Sequence, residues 1–167
     1  MCRFYLEYEE NTIYLHNLSN NVQIMDNTFI GQIEGTLKQN WDLDALTDYN
    51  GSTLQYKDVA RKIEKMHILM AEGGVEKGDK IAICGRNSSH WGVAFLATVT
   101  YGAIIVPILQ DFKANDAIHI VNHSESKLLF ITDLIWENID ADQVPELKAV
   151  LSLNNMDILI SRLPMEQ

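Results

Sequence analysis

Apolar positions along the chain follow two periods, and the period switches several times. Phe29, Ile30, Ile33 and Leu37 recur at helical spacing, with Asp26 or Thr28 placed to cap the first turn. Short apolar segments then flank Asn50-Gly51, a dipeptide suited to a hairpin turn. Tyr56, Val59, Ala60, Ile63, Met66 and Met70 follow i, i+3, i+4, i+7 spacing, which predicts an amphipathic helix over 55–72. Gly73-Gly74 ends that helix, and Gly78-Asp79 turns the chain. Lys80–Cys84 is apolar after its lysine, as expected of a strand buried on both faces.

The stretch from Trp91 to Gln110 contains no Asp, Glu, Lys or Arg. Its length is that of a membrane span, about 20 residues. Its punctuation points elsewhere. Ser88 or Ser89 caps a helix running to Tyr101, apolar nearly all round as a buried helix is. Gly102 breaks it, and Ile104-Ile105-Val106 forms a strand that Pro107 closes. Neither piece crosses a bilayer as a helix. The rhythm continues with a helix over Asn115–His123, a strand over Lys127–Thr132, a short helix over Leu134–Asn138 and a strand over Lys148–Leu153.

Such alternation predicts an α/β fold, a largely parallel sheet with flanking helices. Ligands of these sheets sit at the carboxyl ends of the strands. Here those ends are Gly85-Arg86-Asn87, Leu109-Gln110-Asp111 and Thr132-Asp133. Residues 1–24 are rich in Asn and Tyr and show no clear period. They are expected to be a weakly structured extension. The alternative is one or two short strands that pack Tyr5, Tyr14 and Leu15 on the body. Residues 25–167 form the lobe itself.

Composition narrows the class. With 167 residues, 47% apolar and 22% charged, the chain is one ordinary domain or part of a larger one. A net charge of −10 argues against nucleic acid and against an anionic membrane surface. Cys84 lies in an apolar run and reads as a small buried hydrophobe, while Cys2 sits at a terminus. Two unpaired thiols suit a reducing compartment. The acidic turn after MCRFYLEYEE leaves no signal-peptide core, so a cytoplasmic location is expected.

Familiar catalytic patterns are missing. Gly73 and Gly78 have the separation of a phosphate-binding loop, but Gly78 precedes Asp79, and the loop comes before a strand instead of after one. Gly85 follows a strand alone, without the rest of a dinucleotide fingerprint. Ser88 reads as a helix cap, not as a nucleophile in a G-x-S-x-G elbow. His119 and His123 have the i, i+4 spacing that holds zinc, yet Glu125 is only a weak third ligand, so solvated or singly hydrogen-bonded histidines are expected. Asp42, Asp44, Asp48, Asp133, Asp140 and Asp142 form no evident acid–base pair and read mostly as solvated surface groups, the last two in a loop.

As a series, LTDYNGSTLQYKDVARKI, GVEKGDKIAICGRNSSHWGVAFLATVTYGAIIVPI and HIVNHSESKLLFITD resemble the amino-terminal part of the adenylate-forming (AMP-binding) enzymes. The nearest branch is the bacterial long-chain fatty acid–CoA ligases. Leu54-Gln55-Tyr56-Lys57-Asp58-Val59 is similar to the family's first motif, with Gln55 in place of its usual Thr or Ser. Asn87-Ser88 followed by Trp91 matches a second motif, and Tyr101–Leu109 a third. The likeness covers Met25 to Leu153, with Met25–Phe29 near the family's usual start.

The resemblance implies a parent reaction in which ATP, magnesium and CoA convert a fatty acid to acyl-CoA, AMP and pyrophosphate. The family's ATP loop, rich in Ser, Thr and Gly and ending in Pro-Lys-Gly, does not occur up to Gln167. Its later nucleotide segments and its carboxy-terminal domain are not in these residues either. The chain alone is therefore expected to bind no cofactor tightly and to have no catalytic or metal residue. The loop after the Pro-Ile strand, Leu109, Gln110 and Asp111, is expected on the CoA side. Its partner is expected to be the remainder of the ligase, or a second copy through exposed apolar surface. The alternative is a stand-alone module on the same half-fold that binds CoA, an acyl chain or a protein.

Overall fold

The computed structural model describes residues 5–9, 12–16 and 28–162. Tyr5–Glu9 (β1) and Thr12–His16 (β2) pair antiparallel as a two-stranded ribbon of their own. The rest of the expected extension, and Cys2, lie outside the described residues.

The lobe opens with α1 (Phe29–Gln39), whose first turn is capped by Thr28: its side-chain oxygen accepts from the Gly31 N–H at 3.1 Å. The hairpin expected at Asn50-Gly51 is formed by β3 (Asp44–Thr47) and β4 (Thr53–Gln55), with Asn50 at φ 54 in the turn. The long helix α2 (Tyr56–Glu72) follows without a break. Its start is held by Asp58, whose Oδ2 accepts from the Gln55 N–H at 3.1 Å, so the missing Thr or Ser is replaced by half of a capping box.

The main sheet has five strands in the order β6-β5-β7-β8-β9: β5 is Lys80–Cys84, β6 Ile104–Ile108, β7 Leu128–Ile131, β8 Ala149–Ser152 and β9 Ile158–Ser161. The first three pairings are parallel, and β8–β9 is antiparallel. Between the strands run α3 (Ser89–Tyr101), α4 (Ala114–Ser124) and the short α5 (Asp133–Trp136). The α/β class with a largely parallel sheet and flanking helices is thus observed.

Alternation along the inner strands explains the layers. Ile81, Ile83, Leu128, Phe130, Ala149 and Leu151 pack with residues of α1, α2 and α3. The intervening Ala82, Cys84, Leu129, Ile131 and Val150 pack with Ala117 and Val121 of α4 and with Ile139, Val144 and Leu147. Successive side chains of a strand point to opposite faces, so these all-apolar strands feed two cores at once. Burying each large aliphatic or aromatic side chain there contributes about 1.5–3 kcal/mol.

The uncharged stretch is resolved as expected. Every residue of α3 is at least partly buried, with Val93, Ala94, Ala97 and Thr98 fully so. Gly102 takes φ 88, a conformation that suits glycine, and ends the helix with its N–H on the Thr98 and Val99 carbonyls. Among the described residues no helix is long and apolar enough to cross a membrane.

Two expectations are corrected. Pro107 does not close its strand but lies within β6, paired in register with Ile83. It is tolerated because β6 is an edge strand, where a missing N–H need not break a ladder on both sides. Beyond Leu153, where no further strand is expected, the chain turns back to form β9.

Candidate functional site at the carboxyl ends of the strands

The register places the expected ligand-side segments together. Cys84 pairs with Ile108 on one side and Ile131 on the other, so Gly85, Leu109 and Thr132 are the next residues of three adjacent strands. Their surroundings differ sharply. Gly85 is buried, and a Cβ there would overlap Thr132 Oγ1 and stand 2.7 Å from Leu153 Cδ1. Its lack of a side chain is used for protein packing. Leu109 is 68% exposed, and Gln110, Asp111, Arg86 and Asn87 are exposed as well.

A polar bridge forms at the start of α3, just past the β5 end. Asp48, in the hairpin turn, accepts from the Ser89 N–H at 2.7 Å and from Ser89 Oγ at 2.6 Å. These two bonds, aided by nearby His90, hold the Asp48 carboxyl below its ordinary pKa. Asp48 is therefore not the solvated surface group expected. Ser88 is the helix cap, its Oγ accepting from the Trp91 N–H at 3.1 Å. His90 donates from Nδ1 to the Leu153 carbonyl at 3.1 Å, which ties α3 to the end of β8. Serine, histidine and aspartate thus meet here, but Ser89 is only 4% exposed and spends its proton on the carboxylate, so the group holds the scaffold and is no nucleophilic triad.

Past the end of β7, Asp133 Oδ2 accepts from Asn154 Nδ2 at 3.1 Å. Its Oδ1 is buried and has no hydrogen-bond partner among the described residues. Asp140, expected in a loop with Asp142, caps a short 3-10 turn over Ala141–Gln143 by accepting from the Asp142 N–H at 3.1 Å.

Other candidates sort by burial. The Cys84 thiol is fully buried, and burial raises its pKa to about 11, so it stays protonated and inert. The rings of His119 and His123 stack 5.8 Å apart on the exposed side of α4. Among the described residues no three His, Cys, Asp or Glu side chains are grouped to hold a metal ion. His67 was not singled out by sequence. Its Nε2 lies 3.0 Å from the Ala97 carbonyl and 3.0 Å from Thr100 Oγ1, and burial lowers its pKa. The signal was its place one turn after Ile63 on the apolar side of α2, facing α3.

Among the described residues, the glycines and strand-end loops can be compared with what a phosphate group needs. The loop with Gly73, Gly74 and Gly78 lies at the opposite end of β5, and the Glu76 N–H is already taken by Asp79 Oδ2 at 2.9 Å. Gly85 offers no open cradle, and Leu109-Gln110-Asp111 carries no cationic group for a phosphate.

The family described as "AMP-binding enzyme" matches residues 33–167. The chain belongs to that family. As an AMP-binding enzyme segment it is 23% identical over 133 residues to the medium-chain fatty-acid–CoA ligase of Escherichia coli K12, covering 75% of this chain and 24% of that protein. It is 26% identical over 104 residues to the long chain acyl-CoA synthetase 1 of Arabidopsis thaliana, covering 60% of this chain and 16% of that protein. The AMP-binding fold is matched in the anthranilate CoA ligase AuaEII, solved with anthranoyl-AMP, at TM-score 0.68 and 18% identity over 74% of this chain and 24% of that one. The chain thus spans only about a sixth to a quarter of these relatives' length.

Proposed function

We propose that the chain is the amino-terminal part of a fatty acid–CoA ligase of the long-chain branch, and that residues 1–167 do not catalyse alone. The observation that carries this reading is the AMP-binding match over residues 33–167, joined to relatives that are acyl-CoA ligases. The parent reaction is ATP, fatty acid and CoA to acyl-CoA, AMP and pyrophosphate. In this reading 25–167 is the partial lobe, 1–24 an extension, and Leu109, Gln110 and Asp111 the CoA side. Their exposure beside the β5 end supports that last role. A cytoplasmic location is in keeping with the reduced, buried Cys84.

Two measurements test the proposal. Purified chain incubated with ATP, magnesium, oleate and CoA should give no acyl-CoA by mass spectrometry, and millimolar ATP or CoA should leave its Tm unchanged. Clear turnover would sink the inactivity. Translation of the DNA beyond the Gln167 codon should reveal a Ser/Thr/Gly-rich loop ending in Pro-Lys-Gly. Its absence would favour the second reading, an interaction or acyl-binding module, which the exposed apolar Ile104, Leu109 and Phe112, at or just past the β6 edge, support.

A further inference from the structure

We propose that His119 and His123 form a two-point chelating site for a divalent transition metal ion of the imidazole-preferring class: copper, nickel or zinc. The two residues lie four apart on α4, hence one turn, about 6 Å, along its axis. Their rings are nearly parallel, 10° apart in plane, with centroids 5.8 Å apart. Both side chains are exposed, and no described residue hydrogen-bonds to either ring. The contrast with the other described histidine side chains is informative. His67 and His90 each spend a ring nitrogen on a backbone carbonyl, whereas this pair keeps its nitrogens for solvent or a ligand.

The surroundings favour a cation. The pair lies in an open depression with Asn115, Ile118, Asn122 and Gln143. Asn122 Nδ2 donates to the Gln143 carbonyl at 2.8 Å, which fastens α4 to the neighbouring turn and keeps the backbone beneath the rings in place. His123 stands in the last turn of α4, where the helix dipole presents partial negative charge. The chain adds a net charge of −10. Metal–imidazole bonds of about 2.0–2.1 Å require two ring nitrogens roughly 3 Å apart, and exposed rings reach that by rotation about their side-chain torsions. Once the first imidazole holds the ion, the second binds it intramolecularly, which is the source of the gain over a single histidine. Water completes the shell. Imidazole donors and the general order of divalent affinities put copper first, with nickel and zinc weaker and magnesium not bound.

Titration of the untagged 167-residue chain with CuCl2, NiCl2, ZnCl2 and MgCl2, followed by calorimetry, tests this. One equivalent of copper, nickel or zinc should bind, and none of magnesium. His119→Asn and His123→Asn should each weaken binding about tenfold or more, with circular dichroism unchanged. Zinc should raise the Tm of the parent chain by more than that of either variant at the same concentration. A Cys2→Ser control should bind as the parent does. Affinity undiminished in both histidine variants, or lost in the cysteine control, would overturn the site, as would heats no larger than those of magnesium. The inference does not depend on the ligase reading, and neither result bears on that assignment.

Discussion

Asp48 uses both carboxylate oxygens to fasten the hairpin turn to Ser89, 41 positions further along the chain. Because its folded pKa lies below the ordinary value of 3.8, the bond contributes stability above that pH and loses it as pH falls through the folded value. Asp48→Asn should cost about 1 kcal/mol at pH 7, less than is usual for bonds to a charged acceptor because the site is partly open to water. Urea midpoints of parent and variant should converge in strong acid. A gap that stays constant from pH 7 to pH 2 would refute the assignment. His67 adds a second acid-sensitive contribution. Burial holds its pKa below the ordinary 6.5, so protonation costs stability as pH falls from there. Neither residue was legible in the sequence. An aspartate beside Asn-Gly looks like turn surface, and a histidine on a helix gives no sign of which carbonyl lies across from it.

At the scale of elements, periodicity carried most of the fold. The helices α1 to α4 and the strands β5 to β8 stand where apolar spacing places them, with Thr28, Gly73, Ser88 and Gly102 at the helix ends they are expected to mark. The misses have physical causes. Pro107 reads as a terminator because a proline breaks a central strand, and the sequence does not say that β6 is an edge. The strand β9 is four residues long and antiparallel, so no helical crossover announces it. Where strands end, close approach matters more than period. Gly85→Ala should destabilise the protein by roughly 1–3 kcal/mol, since the new methyl overlaps Thr132 and crowds Leu153. An unchanged urea midpoint would show that both side chains move aside freely.

For the molecule as a whole, the family was legible in three motifs taken in order, and the match over residues 33–167 agrees with it. The candidate site was legible only as three strand ends. Sequence does not reveal that Gly85 is filled by its neighbours while Leu109 is left in solvent. Ile104, Leu109 and Phe112 are 50%, 68% and 40% exposed, respectively, at or just past the β6 edge, while Pro107 discourages strand addition there. Sedimentation velocity should therefore show concentration-dependent self-association that Leu109→Asp reduces. A monomer at every concentration that binds no apolar dye would count against an interface on this edge.

Sharing the inner strands between two cores has a consequence for how the chain finds its register. In a half-buried strand a slip of one residue exchanges apolar for polar, and water rejects the error. In β5 and β7 the same slip would exchange apolar for apolar, so polarity gives no warning. Bulk has to do it in β5: Ile81 and Ile83 face the three-helix layer, while Ala82 and Cys84 face α4. A slipped β5 would press isoleucines into the space of an alanine and a cysteine, and leave voids where the isoleucines had been.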